Sequence, residues 1–381
     1  MRVLYISQSS HLYGSGRALY NILSGLQRGK EVQSIVVLPD DKGELYRSLI
    51  QIGITPVILP ISAWVYPPYN TFRDKIAYLY RLFRILLQSL KAFIELSKII
   101  KEIKPDIIHT NVGVIHIGYL VAKRYHIRHI WHIREFQDLH FGWTPIPSNK
   151  SFIRKLHSRE NFSVSISKAL FSHYELGANA KVIYDGVFDE TDIPNQVNEK
   201  KNYFLYVGNI YEGKGVREAV EGFLSFSKSY HGYEFWLAGE GALMQWLNNI
   251  AETEPSIKPL GYRNDINYLM QGAMALIVPS RFEGFGFISV EAMLNYCLVI
   301  GHNVAGIKEQ FDNGLEFTGK EIGLRYEGIN GLVSAMQSVV MKPENDFKEM
   351  TDCAYKTVRE YYSIQKDTQE LLTLYKILLN K

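Results

Sequence analysis

Glu283 and Glu291 bracket a glycine-bearing turn in the segment PSRFEGFGFISVEAM at 279–293. Two carboxylates so placed accept hydrogen bonds from neighbouring hydroxyls, as on a sugar and a ribose. Between them Gly284 and Gly286 allow close backbone approach to a ligand and positive φ angles. The apolar run at 274–278 reads as a buried strand feeding the turn, and a helix is expected from about Ser289. The unpaired N–H groups and positive dipole end of such a helix suit a phosphate or a sugar oxygen. The same residues also admit a plainer arrangement, with Glu291 favouring its own helix start and Glu283 a solvated loop carboxylate.

The elements that must position this turn form a repeating pattern. Short β-branched and aromatic runs at 3–7, 34–39, 54–60, 106–111, 129–133, 162–167 and 181–184 alternate with helix-like segments. The polar stretch DETDIPNQVNEKKN at 189–202 then interrupts the pattern, which restarts at 203–207, 234–238, 257–260, 274–278 and 298–301. Buried strands alternating with helices imply parallel sheets. Such sheets bind ligands beyond the carboxyl ends of their strands. The expected architecture is α/β, with domains at 1–188 and 203–362 and a linker at 189–202. A final helix at 363–381 crosses back to the first domain, with Leu371, Leu372, Leu374, Tyr375, Leu378 and Leu379 at helical spacing.

With its EGFG and EAM flanks, the 279–293 segment resembles the E-x7-E signature of retaining GT-B glycosyltransferases, specifically glycosyltransferase family 4. Other segments are similar to family elements. YVGNIYEGKG at 206–215 resembles the element that holds the donor diphosphate, with Lys214 matching its lysine and Asn209 standing where the family has arginine. LAGEG at 237–241, with Gly239, and LGYRND at 260–265, with Tyr262 and Arg263, match the next two strand-end loops; the second cradles a nucleobase in the family. GHNVAGIKE at 301–309 resembles the element that follows the E-x7-E helix. In the first half, GSGR at 14–17 (Gly14, Gly16, Arg17) stands where the family has a glycine-rich loop. PDIIHTN at 105–111 and KVIYDGVF at 181–188 also fit, with Asp185 in place of the usual asparagine.

The resemblance implies two Rossmann-like domains facing a cleft, the first binding an acceptor and the second a nucleotide-diphosphate sugar, by family weight a UDP-sugar. It implies transfer with retention in cell-surface polysaccharide, glycolipid or glycoprotein glycan synthesis, to a glycan or lipid-linked acceptor, without a bound metal or other cofactor. The departing phosphate is expected to take the acceptor proton, so no dedicated protein base is required. Glu283 would hold donor sugar hydroxyls with the backbone of Gly284, Phe285, Gly286 and Phe287, and Glu291 the ribose. Lys214 would stabilise charge developing on the leaving diphosphate, Arg17 or Arg281 substituting for the cation absent at Asn209. In HIRHIWHIREF, His132 matches the histidine that faces the donor sugar, while His109 reads as structural. An alternative reading is a catalytically silent subunit that binds a partner glycosyltransferase, for which Asn209 is the best support. A dehydrogenase fits poorly, because GSGR is not G-x-G-x-x-G. A sugar phosphorylase on the same fold would reveal itself by using free phosphate.

Composition narrows the classes further. Forty-two Lys and Arg against 39 Asp and Glu leave +3 over 381 residues, too balanced for a nucleic-acid coat protein. Two isolated cysteines fit neither a disulfide framework nor a zinc site. The opening residues read as a strand rather than a leader, and no apolar run reaches the ~18 residues of a membrane span. A cytoplasmic protein is expected, peripheral on the inner membrane face. The reason is the segment 72–104, where eight cations against three acids give +5 and apolar residues recur at helical spacing. Such a helix either lies on an anionic membrane or packs on its own domain with a solvated basic face. No nucleic-acid-binding module accompanies the charge.

Overall fold

In the computed structural model, which describes residues 1–68, 71–191, 194, 199–343 and 345–380, the strand Arg2–Ile6 is buried at every position after Arg2. Val3 and Tyr5 face one apolar layer with Leu19, Leu23 and Leu371, whereas Leu4 and Ile6 face another with Ala92, Leu96 and Ile100. A strand covered on both faces has no use for polar alternation, which is why RVLYI is a continuous apolar run.

The chain divides into two units, Met1–Gly186 with Ile364–Lys381 and Val187–Ser363. Strands of the first are β1 (Arg2–Ile6), β2 (Gln33–Leu38), β3 (Val57–Ile58), β4 (Val65–Tyr66), β5 (Ile107–Thr110), β6 (Arg128–Ile133), β7 (Thr144–Pro145), β8 (Asn161–Ser165) and β9 (Ala180–Val182). Seven of them form a sheet in the order β3-β2-β1-β5-β6-β8-β9, every pair parallel. The short β4 and β7 pair antiparallel outside it. In the second unit β10 (Lys201–Val207), β11 (Glu234–Ala238), β12 (Ile257–Gly261), β13 (Ala273–Val278), β14 (Val299–His302) and β15 (Leu324–Tyr326) form a parallel sheet ordered β12-β11-β10-β13-β14-β15. Both orders reverse direction once, at β1/β5 and at β10/β13, as in doubly wound folds.

The short pair β4 and β7 was not expected from the sequence, and three further points differ from the sequence reading. The first helix spans Gly14–Gly29, so GSGR is its opening turn and not a loop. Gly16 is required there because a Cβ would lie 2.0 Å from the His11 carbonyl oxygen. The edge strand β15 was not expected: with three residues and one buried position it carries no periodic signal. Of the linker at 189–202, residues 192–193 and 195–198 lie outside the described residues, and the division between units falls after Gly186.

The helix Ile364–Leu379 belongs to the first unit. Leu371, Leu374, Tyr375 and Leu378 join the core formed by Val3, Tyr5, Leu19 and Leu23. Close approach to the first helix depends on Gly25, whose Cβ would lie 2.4 Å from a Thr368 methyl. Leu371→Ala should therefore cost about 2–5 kcal/mol, and the loss should fall on the first unit. In hydrogen exchange, β1 and β2 should lose protection while β10 and β13 keep theirs; uniform loss in both sheets would contradict this division.

Candidate active site

β10 and β13 are adjacent at the point where the second sheet reverses its order, so the loops leaving their carboxyl ends start side by side. Lys214 lies on the first of these loops and Glu283 on the second, and Lys214 Nζ donates to Glu283 Oε2 at 2.6 Å. Their side chains are 22% and 17% exposed, so the pair is sheltered and still reachable. Burial acts to lower the Lys214 pKa, but the Glu283 charge and hydrogen bond outweigh it and hold the ammonium above its ordinary value. Tyr211 on the same loop has its phenol raised, chiefly by burial. Gly215 brings the loops together: it has φ +69°, and a Cβ would lie 2.1 Å from the Pro279 carbonyl oxygen.

The turn after Glu283 is braced from behind. Gln310 Nε2 donates to the carbonyls of Phe285 at 2.7 Å and Gly286 at 3.1 Å, and the Gly306 N–H donates to Glu283 O at 2.9 Å. Phe285 turns its buried ring against Tyr362, at 5.3 Å between centroids. Its side chain is thus an anchor, and only its backbone remains for a ligand. Gly286, at φ +98°, caps the helix Phe287–Leu294, two residues earlier than expected, leaving that helix's first-turn N–H groups without intrahelical acceptors. Glu291 lies in its second turn and is half-buried. Gln310 escaped sequence reading because nothing in its neighbourhood marks a glutamine that reaches back to a loop 24 residues earlier.

Other predicted residues are placed as follows. Gly239 closes on Gly208, where a Cβ would lie 1.9 Å from the carbonyl oxygen. Asn209 is exposed, its carbonyl accepting from the Tyr206 hydroxyl at 2.8 Å. Tyr262 is 78% exposed at the end of β12. Arg263 forms a two-pronged pair with Asp265 at 2.8 and 2.6 Å, and Arg281 lies 3.8 Å from Glu218. Gly14 opens the first helix on its exposed side, and Arg17 follows one turn on, in the first unit.

His132 is the penultimate residue of β6 in the first unit and is fully buried. Its Nδ1 lies 3.1 Å from Arg134 Nη2 and 3.1 Å from His109 Nε2. A guanidinium can only donate, so Nδ1 accepts and the proton sits on Nε2. Burial and the Arg134 charge push the His132 pKa well down, keeping the ring neutral. His109 Nδ1 in turn lies 2.7 Å from the Tyr375 hydroxyl, itself 3.1 Å from that of Tyr5. The chain of bonds ends on His132 Nε2–H, a buried donor with no protein acceptor among the described residues. His132 is therefore a hydrogen-bond donor at Nε2 and not a base at that atom.

Arg134 was not singled out from the sequence. It is buried, donates to Asn111 O at 3.0 Å and forms an ion pair with Asp185, the residue that replaces the expected asparagine. Asp367 Oδ2, from the last helix, accepts the Gly186 N–H at 3.0 Å. Its carboxyl is pushed up to about 8, by burial first and by Asp185 second, while Arg134 pulls it down.

A match to a known family falls within the second unit and takes in its paired loops. Residues 187–321 match Glycosyl transferases group 1. Lys214, Glu283 and Glu291 all fall inside this group 1 segment. Among curated relatives, the chain is 24% identical to the glycogen synthase of Mycobacterium tuberculosis over 262 residues, covering 63% of this chain and 61% of that one. It is 24% identical over 266 residues to an Escherichia coli UDP-Gal:alpha-D-GlcNAc-diphosphoundecaprenol alpha-1,3-galactosyltransferase, covering 60% and 67%. The chain thus spans 61% of the length of the glycogen synthase that it matches. Anabaena Alr3699/HepE, solved in complex with UDP, superimposes with a TM-score of 0.75 at 17% identity over 99% of this chain and 100% of that one. That likeness shows the fold, two Rossmann-like units of the GT-B class.

The Asp367 carboxyl makes the first unit sensitive to pH. Its folded value of about 8 lies above the ordinary 3.8, so the fold retains a proton that the unfolded chain releases. Stability from this group is full below 3.8 and declines as pH rises to about 8. The decline is at most about 1.4 kcal/mol per pH unit. Asp367→Asn keeps an acceptor for the Gly186 N–H. Its Tm relative to wild type should climb through that window and level off above it; parallel Tm–pH curves for the two proteins would show that Asp367 does not titrate there.

Proposed function

We propose that the protein is a retaining glycosyltransferase of family 4, moving a sugar from a UDP-linked donor to a glycan or lipid-linked acceptor in cell-surface polysaccharide, glycolipid or glycoprotein glycan synthesis. The observation that carries this reading is the Lys214–Glu283 pair at the order reversal of the second sheet, inside the group 1 segment. The UDP bound in Alr3699/HepE and the UDP-galactose donor named for the Escherichia coli relative support the choice of nucleotide.

The donor's diphosphate takes Lys214 as its cation, with the first-turn N–H groups of the helix Phe287–Leu294 as further donors. Glu283 is the counter-charge that keeps this ammonium protonated and pre-placed. Once phosphate oxygens satisfy Lys214, the Glu283 carboxylate is released to accept donor sugar hydroxyls. Glu291 holds ribose hydroxyls, and exposed Tyr262 offers a ring face to the base. As the glycosidic bond to the diphosphate breaks, charge grows on the leaving oxygen beside Lys214. The departing phosphate takes the acceptor proton, so the protein's part is positioning and charge stabilisation without a divalent ion. In the first unit, His132 Nε2–H and the Arg17 guanidinium are the donors assigned to ligand oxygens.

Lys214→Met should weaken UDP binding by roughly tenfold to a hundredfold, the loss of one charge-assisted contact, while uridine affinity measured by calorimetry stays unchanged. Glu283→Gln should lower kcat for transfer with UDP affinity nearly intact, and EDTA should leave turnover unaffected. Equal losses of UDP and uridine binding in the Lys214 variant would overturn its phosphate role. Failure of every nucleotide sugar to raise the Tm of wild-type protein would overturn the donor assignment.

A further inference from the structure

The helix Phe72–Ile103 carries two apolar faces, and the first unit covers one of them. Ile85, Ala92, Leu96 and Ile100 are buried, the last three in the core beneath Leu4 and Ile6. Ile76, Leu79, Tyr80, Phe83, Leu86, Leu87, Leu90 and Ile94 are between 49% and 67% exposed. At 3.6 residues per turn these eight fall in one continuous stripe, roughly 140° around the helix from the buried face. A basic helix solvated on its outer side would show charge at those positions; from 76 to 94 that side is leucine, isoleucine and aromatic rings, and exposed Lys98 and Lys101 continue it beyond.

Cations border the stripe. On the same wheel, Arg84 and Lys91 flank it on one side and Lys75 on the other, and all three are exposed. The Arg84 guanidinium sits 5.9 Å from the Tyr80 ring centroid. A helix with an apolar face and a basic rim lies in the interface of an anionic bilayer, its apolar side chains among the acyl chains and its cations at the headgroups. No helix among the described residues is long and apolar enough to cross a membrane, so the contact is one of lying on the surface.

We propose that this stripe docks the first unit onto an anionic lipid bilayer. Charge selects this occupant over a second copy of the chain. A copy would bring another segment of net +5 against the first, whereas acidic headgroups neutralise it. The inference rests on the helix alone and stands whether or not the protein transfers sugars.

The test is co-sedimentation of the full chain with phosphatidylglycerol-containing vesicles and with pure phosphatidylcholine vesicles. Wild-type protein should bind the anionic vesicles and release them at high salt. The triple variant Lys75→Gln, Arg84→Gln, Lys91→Gln should bind on the order of a hundredfold more weakly. Phe83→Ser and Leu87→Ser should each lose roughly tenfold or more. All five positions are exposed, so the variants should match wild type in Tm. An environment-sensitive dye attached to cysteine at 79, 83 or 90 should shift to the blue on vesicles, while one at exposed Gln88, off the stripe, should not. Equal binding to both vesicle types, or none to either, would overturn the proposal. So would a dimer in sedimentation velocity that Phe83→Ser dissociates, since a second copy would then cover the stripe.

Discussion

The Lys214–Glu283 pair depends on one constraint, the reversal of strand order at the middle of the second sheet. Consecutive parallel strands need helical crossovers, and at the reversal the crossovers from adjacent strands leave to opposite sides. The loops after β10 and β13 therefore begin as neighbours and then part, opening a space over the strand ends. A lysine on one loop and a glutamate on the other, 69 residues apart in the chain, meet at 2.6 Å because their strands are hydrogen-bonded partners. The glycines and braces around them serve that meeting. Gly215 permits the backbone contact with Pro279, while Gln310 and Gly306 hold the carbonyls of the glycine turn from behind.

The first unit repeats the topology but uses its reversal differently. At the ends of its strands lies a buried polar network: Tyr5, Tyr375, His109 and His132 linked in series, with Arg134 facing Asp185. Desolvation keeps its histidines neutral and raises its carboxyls and phenols. Two of its members, Asp367 and Tyr375, come from the last helix of the chain, so the first unit is completed by a segment that starts more than 170 positions beyond its other one. A network so fully buried favours a single arrangement, because each unmade bond leaves a polar atom without water.

Much of this was legible in the order of residues. Strands buried on both faces read as continuous apolar runs, and crossover helices as periodic ones, so both units and most of their strands can be placed from pattern alone, the short β4, β7 and β15 excepted. The turn at Glu283 was legible because the glycine spacing around it is a backbone requirement written locally, whereas Lys214 was marked only by the resemblance of the 206–215 segment to a family element. The long helix was recognisable from its periodicity as well, but which of its apolar residues are covered was not. A 3.6 period marks apolar positions without saying what faces each of them.

The sequence by itself determined the α/β class, the two-unit plan, the candidate turn at 279–293 and the basic apolar helix. All of these follow from local spacing, and local spacing survives in a one-dimensional record. Only the tertiary structure decided that Lys214 and Glu283 form a hydrogen-bonded ion pair, and that His132 carries its proton on Nε2. It alone showed Arg134 balancing Asp185, both acting on the Asp367 carboxyl, and an apolar stripe left uncovered. Each of these is a relation between side chains brought together by sheet order and helix packing. Their energies depend on burial and on the identity of the neighbour, and neither quantity is defined until the chain has folded.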